Sequence, residues 1–175
     1  LLTGGSGFIG SHTCLLLLEN NFRVVVYDSF INSSKIAIER VRKIIEKKVN
    51  DLESKLFIWE GDIRNEEVLK NAFRYFDDKG IPIKAVIHFA GLKAVSDSYK
   101  NPKEYWDVNV NGSKNLLKVM DLFGCSKIVF SSSATVYDKS SIKFLKESNK
   151  LRPSNPYGKT KLEVEKILNS HFLNK

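Results

Sequence analysis

Thr3-Gly4-Gly5-Ser6-Gly7-Phe8-Ile9-Gly10 follows Leu1-Leu2 and leads into an apolar helical run, Ser11 to Leu18. That order predicts strand, tight turn and helix. Each glycine has its own task in such a junction. Gly4 permits the turn, Gly7 lets a diphosphate approach the backbone, and Gly10 lets the new helix pack close to the strand. The helix start then offers unpaired N–H groups and a partial positive charge to phosphates. The spacing is G-x-x-G-x-x-G, so it meets the general dinucleotide fingerprint only in part, and the residues downstream must supply the rest.

Arg23 to Asp28 is a β-branched run ending in an acid, the pattern of a buried parallel strand. Asp28 stands 18 residues after Gly10, where a strand-end carboxylate accepts from the adenosine ribose hydroxyls. The same charge repels a 2′-phosphate, so the expected cofactor is NAD rather than NADP. Ile38, Val41, Ile45, Val49 and Leu52 repeat at helical spacing within the basic segment Lys35 to Lys55. Lys55 to Glu60 is a third strand. Asp62, just past it, is placed to accept from the adenine amino group, with Ile63 against the ring. Glu66 to Phe76 reads as a helix ended by Gly80-Ile81-Pro82.

Lys84 to Ala90 is the fourth strand, broken by Gly91, where a bare backbone lets the cofactor approach. Lys93 follows, within reach of a phosphate or the nicotinamide ribose. His88 reads as a hydrogen-bonded core histidine, and His12 and His171 are read the same way; none has the companions of a metal site. Tyr99 to Phe123 is expected as one long helix closed by Gly124. Asn109 and Asn111 are poor helix residues, so Asn109 is expected to make a specific hydrogen bond. Ser126 to Ser131 is strand five, and it ends in the serine cluster Ser131-Ser132-Ser133. Ligands bind at such carboxyl ends of parallel strands.

Tyr157-Gly158-Lys159-Thr160-Lys161 follows Pro153 and Pro156. Residues four apart share a helix face, so Tyr157 and Lys161 are neighbours. A phenol titrates near 10 and is a poor base at neutral pH. A lysine ammonium and an oxidised nicotinamide nearby favour the phenolate.

Composition fits this picture. The 175 residues suffice for one domain with a core, with no repeat. The net charge of +8 is spread along the chain and mixed with acids, as on a solvated helix surface, so neither nucleic acid nor membrane is an expected partner. Cys14 and Cys125 are expected as reduced, buried thiols of a cytoplasmic protein. The expected fold is a Rossmann-like, doubly wound parallel sheet, ordered 3-2-1-4-5, with helices on both faces. Residues 1–175 are expected to be its NAD-binding domain. Only two residues precede the turn, and the chain ends just after a helix. The expectation is therefore a fragment that begins within strand one and stops before a C-terminal substrate domain, inactive without it.

Taken together, Thr3-Gly4-x-x-Gly7-x-x-Gly10, Ser133 and Tyr157-x-x-x-Lys161 resemble the extended short-chain dehydrogenase/reductase superfamily. The segments Thr3–Thr13, Gly61–Arg64, Ile87–Val95, Ser131–Tyr137 and Pro156–Lys159 resemble, more closely, its UDP-glucose 4-epimerase family. The resemblance implies Tyr157 as base, Ser133 as relay, and Lys161 as holder of the nicotinamide ribose. It implies NAD contacts at Gly4, Gly7, Phe8, Ile9, Gly10, Asp28, Asn32, Ser33, Asp62, Ile63, Phe89, Ala90, Gly91, Lys93, Asn109, Ser131, Tyr157 and Lys161. A UDP-sugar is implied near Lys93, Ser133, Thr135 and Tyr157. A homodimer is implied through the helices of 99–123 and 157–173. Asp138 and Ser29 depart from the family pattern, and the Lys35–Lys55 helix is longer and more basic than usual there. A 4,6-dehydratase typically carries Asp-Glu where this chain has Ala134-Thr135. Epimerases of N-acetylated or glucuronic sugars, and a non-catalytic NAD-binding module, remain the competing readings.

Overall fold

The computed structural model describes residues 1–138 and 144–173, and these fall into two compact units. The first comprises Leu1–Ala90 and Leu116–Ser131; the second comprises Gly91–Asn115 and Ser132–Lys175.

In the first unit, β1 (Leu2–Thr3), β2 (Val24–Asp28), β3 (Leu56–Glu60), β4 (Val86–His88) and β5 (Ile128–Phe130) form one parallel sheet ordered 3-2-1-4-5, as expected. Register places Thr3 beside both Tyr27 and His88, so the carboxyl ends of three strands finish level. β2 is buried along its whole length, which accounts for its unbroken run of valines. Helix α1 (Phe8–Glu19) packs against α2 (Lys35–Ile45). Cys14 and Leu18 from α1 join Ile38, Val41 and Ile45 from α2 and Val24 and Val26 of β2 in one core. Burying each of those α2 side chains is worth roughly 2 kcal/mol. The α2 periodicity stops at Ile45, and Leu52 returns in a separate short turn, Leu52–Ser54, after Asp51 adopts a left-handed conformation. α3 (Glu66–Asp78) is capped by the Asn65 side chain and buries Leu69, Ala72, Phe73 and Phe76.

Both cysteines are free and buried; burial alone pushes the Cys14 thiol up to about 12. His88 is 1% exposed, its Nδ1 2.6 Å from Thr3 Oγ1, so the core reading holds for it. It fails for His12. That ring lies exposed on α1, with Nδ1 2.8 Å from the Phe8 carbonyl and its face tilted against the Phe8 ring. The helix simply turns position 12 outward. His171 is only half-buried.

The stretch expected as one long helix is several pieces. α4 (Val95–Lys100) starts earlier, ends at Asn101, and is followed by α5 (Pro102–Trp106), a π turn (Asp107–Asn111) and α6 (Gly112–Leu122). Pro102 has no N–H to continue α4 and forces Asn101 out of helical geometry, at φ −126° and ψ 52°. In the second unit, α7 (Pro156–Leu173) packs against α4, α5, the π turn and a short turn at Ala134–Val136. Asn155 caps α7 by accepting from the Gly158 N–H at 2.7 Å.

Candidate active site and cofactor turn

The glycine turn is built by backbone contact. Gly4 adopts φ +67°, and a Cβ there would lie 2.6 Å from the Ala90 nitrogen. A Cβ on Gly10 would fall 2.7 Å from the Gly5 Cα and against the Gly4 carbonyl. Both glycines are therefore required by the protein itself. Gly7 differs. It is extended, at φ −71° and ψ 175°, and a Cβ would meet only the Gly4 carbonyl at 3.3 Å. The fold presses on a side chain at position 7 far less than at positions 4 and 10, at one tight contact that a small shift relieves. Phe8 and Ile9, at the start of α1, are 74% and 59% exposed, so the donor end of the helix is open.

Asp28 is 6% exposed and receives three hydrogen bonds. Ser6 N–H donates to Oδ2 at 2.9 Å, and Phe30 N–H and Ser33 Oγ–H donate to Oδ1 at 3.0 and 2.8 Å. The carboxylate thus ties the glycine turn to the loop after β2. A carboxylate has about four acceptor positions, so room remains for a further donor. Ser33 spends its hydroxyl on Asp28, and Asn32 is exposed. Ser6 Oγ is buried and has no partner among the described residues, an open valence at the turn itself.

At the next strand end, Tyr27 Oη donates to the Asp62 carbonyl at 3.1 Å, and its ring fills the space beside Gly61. Arg64 grips the Asp62 carboxylate through its Nε and Nη2. Burial acts to raise the Asp62 carboxyl, but the Arg64 hydrogen bonds and charge outweigh it and hold it below the ordinary value. Ile63 is 4% exposed, a core side chain. Phe89 and Ala90 are half-buried, with Phe89 N–H bonded to the Thr3 carbonyl. Ser131 N–H reaches the His88 carbonyl at 3.1 Å.

In the second unit, Lys161 lies on α7 one turn beyond Tyr157, with Nζ 5.9 Å from the phenol ring centroid. Lys161 is 5% exposed, and desolvation lowers its ammonium to about 8. A lysine so placed is still mostly charged at neutral pH. Asn109 makes the specific hydrogen bonds expected of it. Its Oδ1 accepts from Leu92 N–H at 2.8 Å, while its Nδ2 donates to the Leu92 carbonyl and to Thr160 Oγ1, both at 3.0 Å. Thr160 in turn donates to the Tyr157 carbonyl. Gly91 is bare because Asn109 Oδ1 would lie 2.8 Å from a Cβ there. Lys93 is exposed. Ser133 Oγ lies 2.9 Å from Thr135 Oγ1 and accepts from Thr135 N–H, so both hydroxyls share one short turn.

Several contributors escape a reading of the sequence: Arg64, Asn155, Thr160, and the pair Ser132–Glu165, whose side chains hydrogen-bond to each other. Asn155 carried a signal, since Asn three residues before a backbone donor at a helix start is a capping pattern.

A parallel sheet ordered 3-2-1-4-5, with a glycine turn tied to the acid that ends its second strand, defines a dinucleotide-binding α/β protein. The chain belongs to the family described as GDP-mannose 4,6 dehydratase, which matches residues 1–172. It is 47% identical over 169 residues to the bifunctional UDP-glucose 4-epimerase and UDP-xylose 4-epimerase 1 of Pisum sativum, covering 95% of this chain and 45% of that protein. It is 43% identical over 168 residues to the UDP-glucose 4-epimerase of Bacillus subtilis (strain 168), covering 96% and 46%. Its fold matches the Bifidobacterium longum UDP-glucose 4-epimerase, solved in complex with NAD+ and UDP, at a TM-score of 0.88 and 39% identity, over 99% of this chain and 49% of that one. The chain thus spans about half the length of the relatives it matches.

Proposed function

We propose that the protein carrying this chain is an NAD-dependent UDP-glucose 4-epimerase, interconverting UDP-galactose and UDP-glucose. The observation that carries the reading is the desolvated Lys161 one helical turn beyond Tyr157. A cation held out of water beside a phenol is the arrangement a tyrosine base requires. The residues fit the cofactor: Gly7 keeps space that the fold itself does not fill, and Asp28 retains acceptor capacity.

In this reading Gly7, Phe8 and Ile9 take the diphosphate on the α1 N-terminus, Asp28 the adenosine ribose, and Asp62 the adenine amino group. Asn32, Ser33, Phe89, Ala90, Gly91 and Ser131 complete that surround, with Ile63 and Asn109 supporting it from the buried side. Lys161 and Lys93 hold the nicotinamide ribose. Bound NAD supplies reversible hydride acceptance at the sugar C4. Tyr157 removes the proton from the 4-hydroxyl, directly or through Ser133, and later returns it. Thr135 orients Ser133 and the sugar. Lys161 keeps its ammonium beside the Tyr157 ring throughout. Net redox change is zero, so the cofactor stays bound. The same reading makes the protein a homodimer through the helices within 99–123 and 156–173.

The family description favours a second reading, a sugar-nucleotide 4,6-dehydratase. Elimination of water needs a further acid, and Ala134-Thr135 provides none. The deciding experiment incubates the full-length protein with UDP-galactose and no added cofactor. UDP-glucose is the expected product. A 4-keto-6-deoxy sugar would establish the dehydratase instead, and no conversion even with added NAD would discard the substrate pair.

A further inference from the structure

The structure assigns Glu165 a role in the reaction: we propose that it is the positioning residue for Ser133, acting through Ser132. The inference rests on the epimerase reading above and deepens it. Glu165 follows Tyr157 and Lys161 at four-residue spacing, so it continues their face of α7. A glutamate on a helix ordinarily keeps its carboxylate in water, yet this one is half-buried and accepts a hydrogen bond from Ser132 Oγ. The two residues are 33 positions apart in the chain. A carboxylate acceptor makes such a bond stronger than a neutral pair would.

The segment is held to the same helix at a second point. The Thr135 carbonyl approaches Gly158 so closely that a Cβ there would lie 2.6 Å from it. Ser133 therefore lies between Ser132, hydrogen-bonded to Glu165 of α7, and Thr135, whose carbonyl packs closely on Gly158 of the same helix. Its own backbone is extended, at φ −155° and ψ 144°, with Oγ turned to Thr135. The helix that carries Tyr157 thus also sets where the Ser133 hydroxyl stands. Without Glu165 the Ser132 end of the segment loses its side-chain tie to α7. A displacement on the order of 1 Å at a reacting group costs about 100-fold in rate.

The test measures kcat and KM for UDP-galactose in the full-length protein. Glu165→Ala is expected to lower kcat about 10- to 100-fold, with KM and bound NAD within about threefold of wild type. Ser132→Ala should reproduce that loss. Glu165→Gln, whose amide oxygen still accepts from Ser132, should stay within about threefold. In a Ser133→Ala background, Glu165→Ala should cost less than about twofold, because the group it positions is gone. The pH profile of kcat should keep its position. An additive loss in the double variant, a shifted pH profile, or wild-type kcat in Glu165→Ala would each overturn the proposal. If wild type itself fails to convert UDP-galactose, the functional reading falls, and amide exchange decides this one. Glu165→Ala should then speed exchange of residues 132–136 at least about tenfold, and unchanged exchange refutes the positioning role.

Discussion

The glycine turn and the Tyr157 helix use opposite materials. Around residues 3–10 the backbone does the building: glycines admit main-chain atoms at distances no side chain allows, and one carboxylate collects three donors. On α7 the side chains do it, with an ammonium, a phenol and a carboxylate at successive turns and a lysine kept from water. The first kind of site resists change because shape forbids it. The second is held in place at a cost, since a buried ammonium is worth less to the fold than a neutral side chain. In the proposed function, the geometry assigned to binding coincides with stability, whereas the groups assigned to the reaction oppose it.

The comparison breaks most readily at Gly10. Gly10→Ala sets a Cβ against the Gly4 carbonyl and the Gly5 backbone, and should destabilise by about 3 kcal/mol in chemical denaturation. Lys161→Met should move stability the other way. The folded lysine titrates at about 8 against an ordinary 10.5. Between those values the unfolded chain binds more protons, so wild-type stability rises with pH through that window. Below pH 8 the full penalty applies, roughly 3 kcal/mol for the shift. Lys161→Met should therefore raise the denaturation midpoint at pH 7, flatten the rise between pH 8 and 10.5, and abolish turnover. A midpoint that falls would show that the lysine supports the fold. Asp28→Ala should cost about 2 kcal/mol, chiefly through the buried Ser6 N–H left without its acceptor, and should weaken NAD binding measured by titration. Gly7→Ala sharpens the contrast. Its effect on stability should stay within about 1 kcal/mol while NAD affinity drops. Equal losses at positions 7 and 10 would erase the distinction drawn between them.

Much of this was legible in the residues. The valines of β2, the run Val86–His88 and the break at Gly91 mark the strands, because a buried parallel strand tolerates little else. Tyr157 and Lys161 are legible because helical spacing alone makes them neighbours. The single helix expected over 99–123 is broken into pieces. Asn101-Pro102 already announces its break, but the π turn at Asp107–Asn111 leaves no mark in the periodicity. His12 went astray because a histidine in an apolar run reads as core until the helix phase is known. Arg64 and Glu165 were invisible for one reason: charged side chains usually face water, and only the fold reveals which partner each has found.

Gly7 carries a further consequence. Two demands fall on one octapeptide and separate at a single position. Under selection for folding alone, residues 4 and 10 would stay fixed while residue 7 drifted more freely, since the backbone there is ordinary and a Cβ would meet the Gly4 carbonyl alone, at 3.3 Å. Under selection for the ligand all three would be held. The variation tolerated at residue 7 in a library of this chain is therefore a gauge of whether its lineage still uses the cofactor.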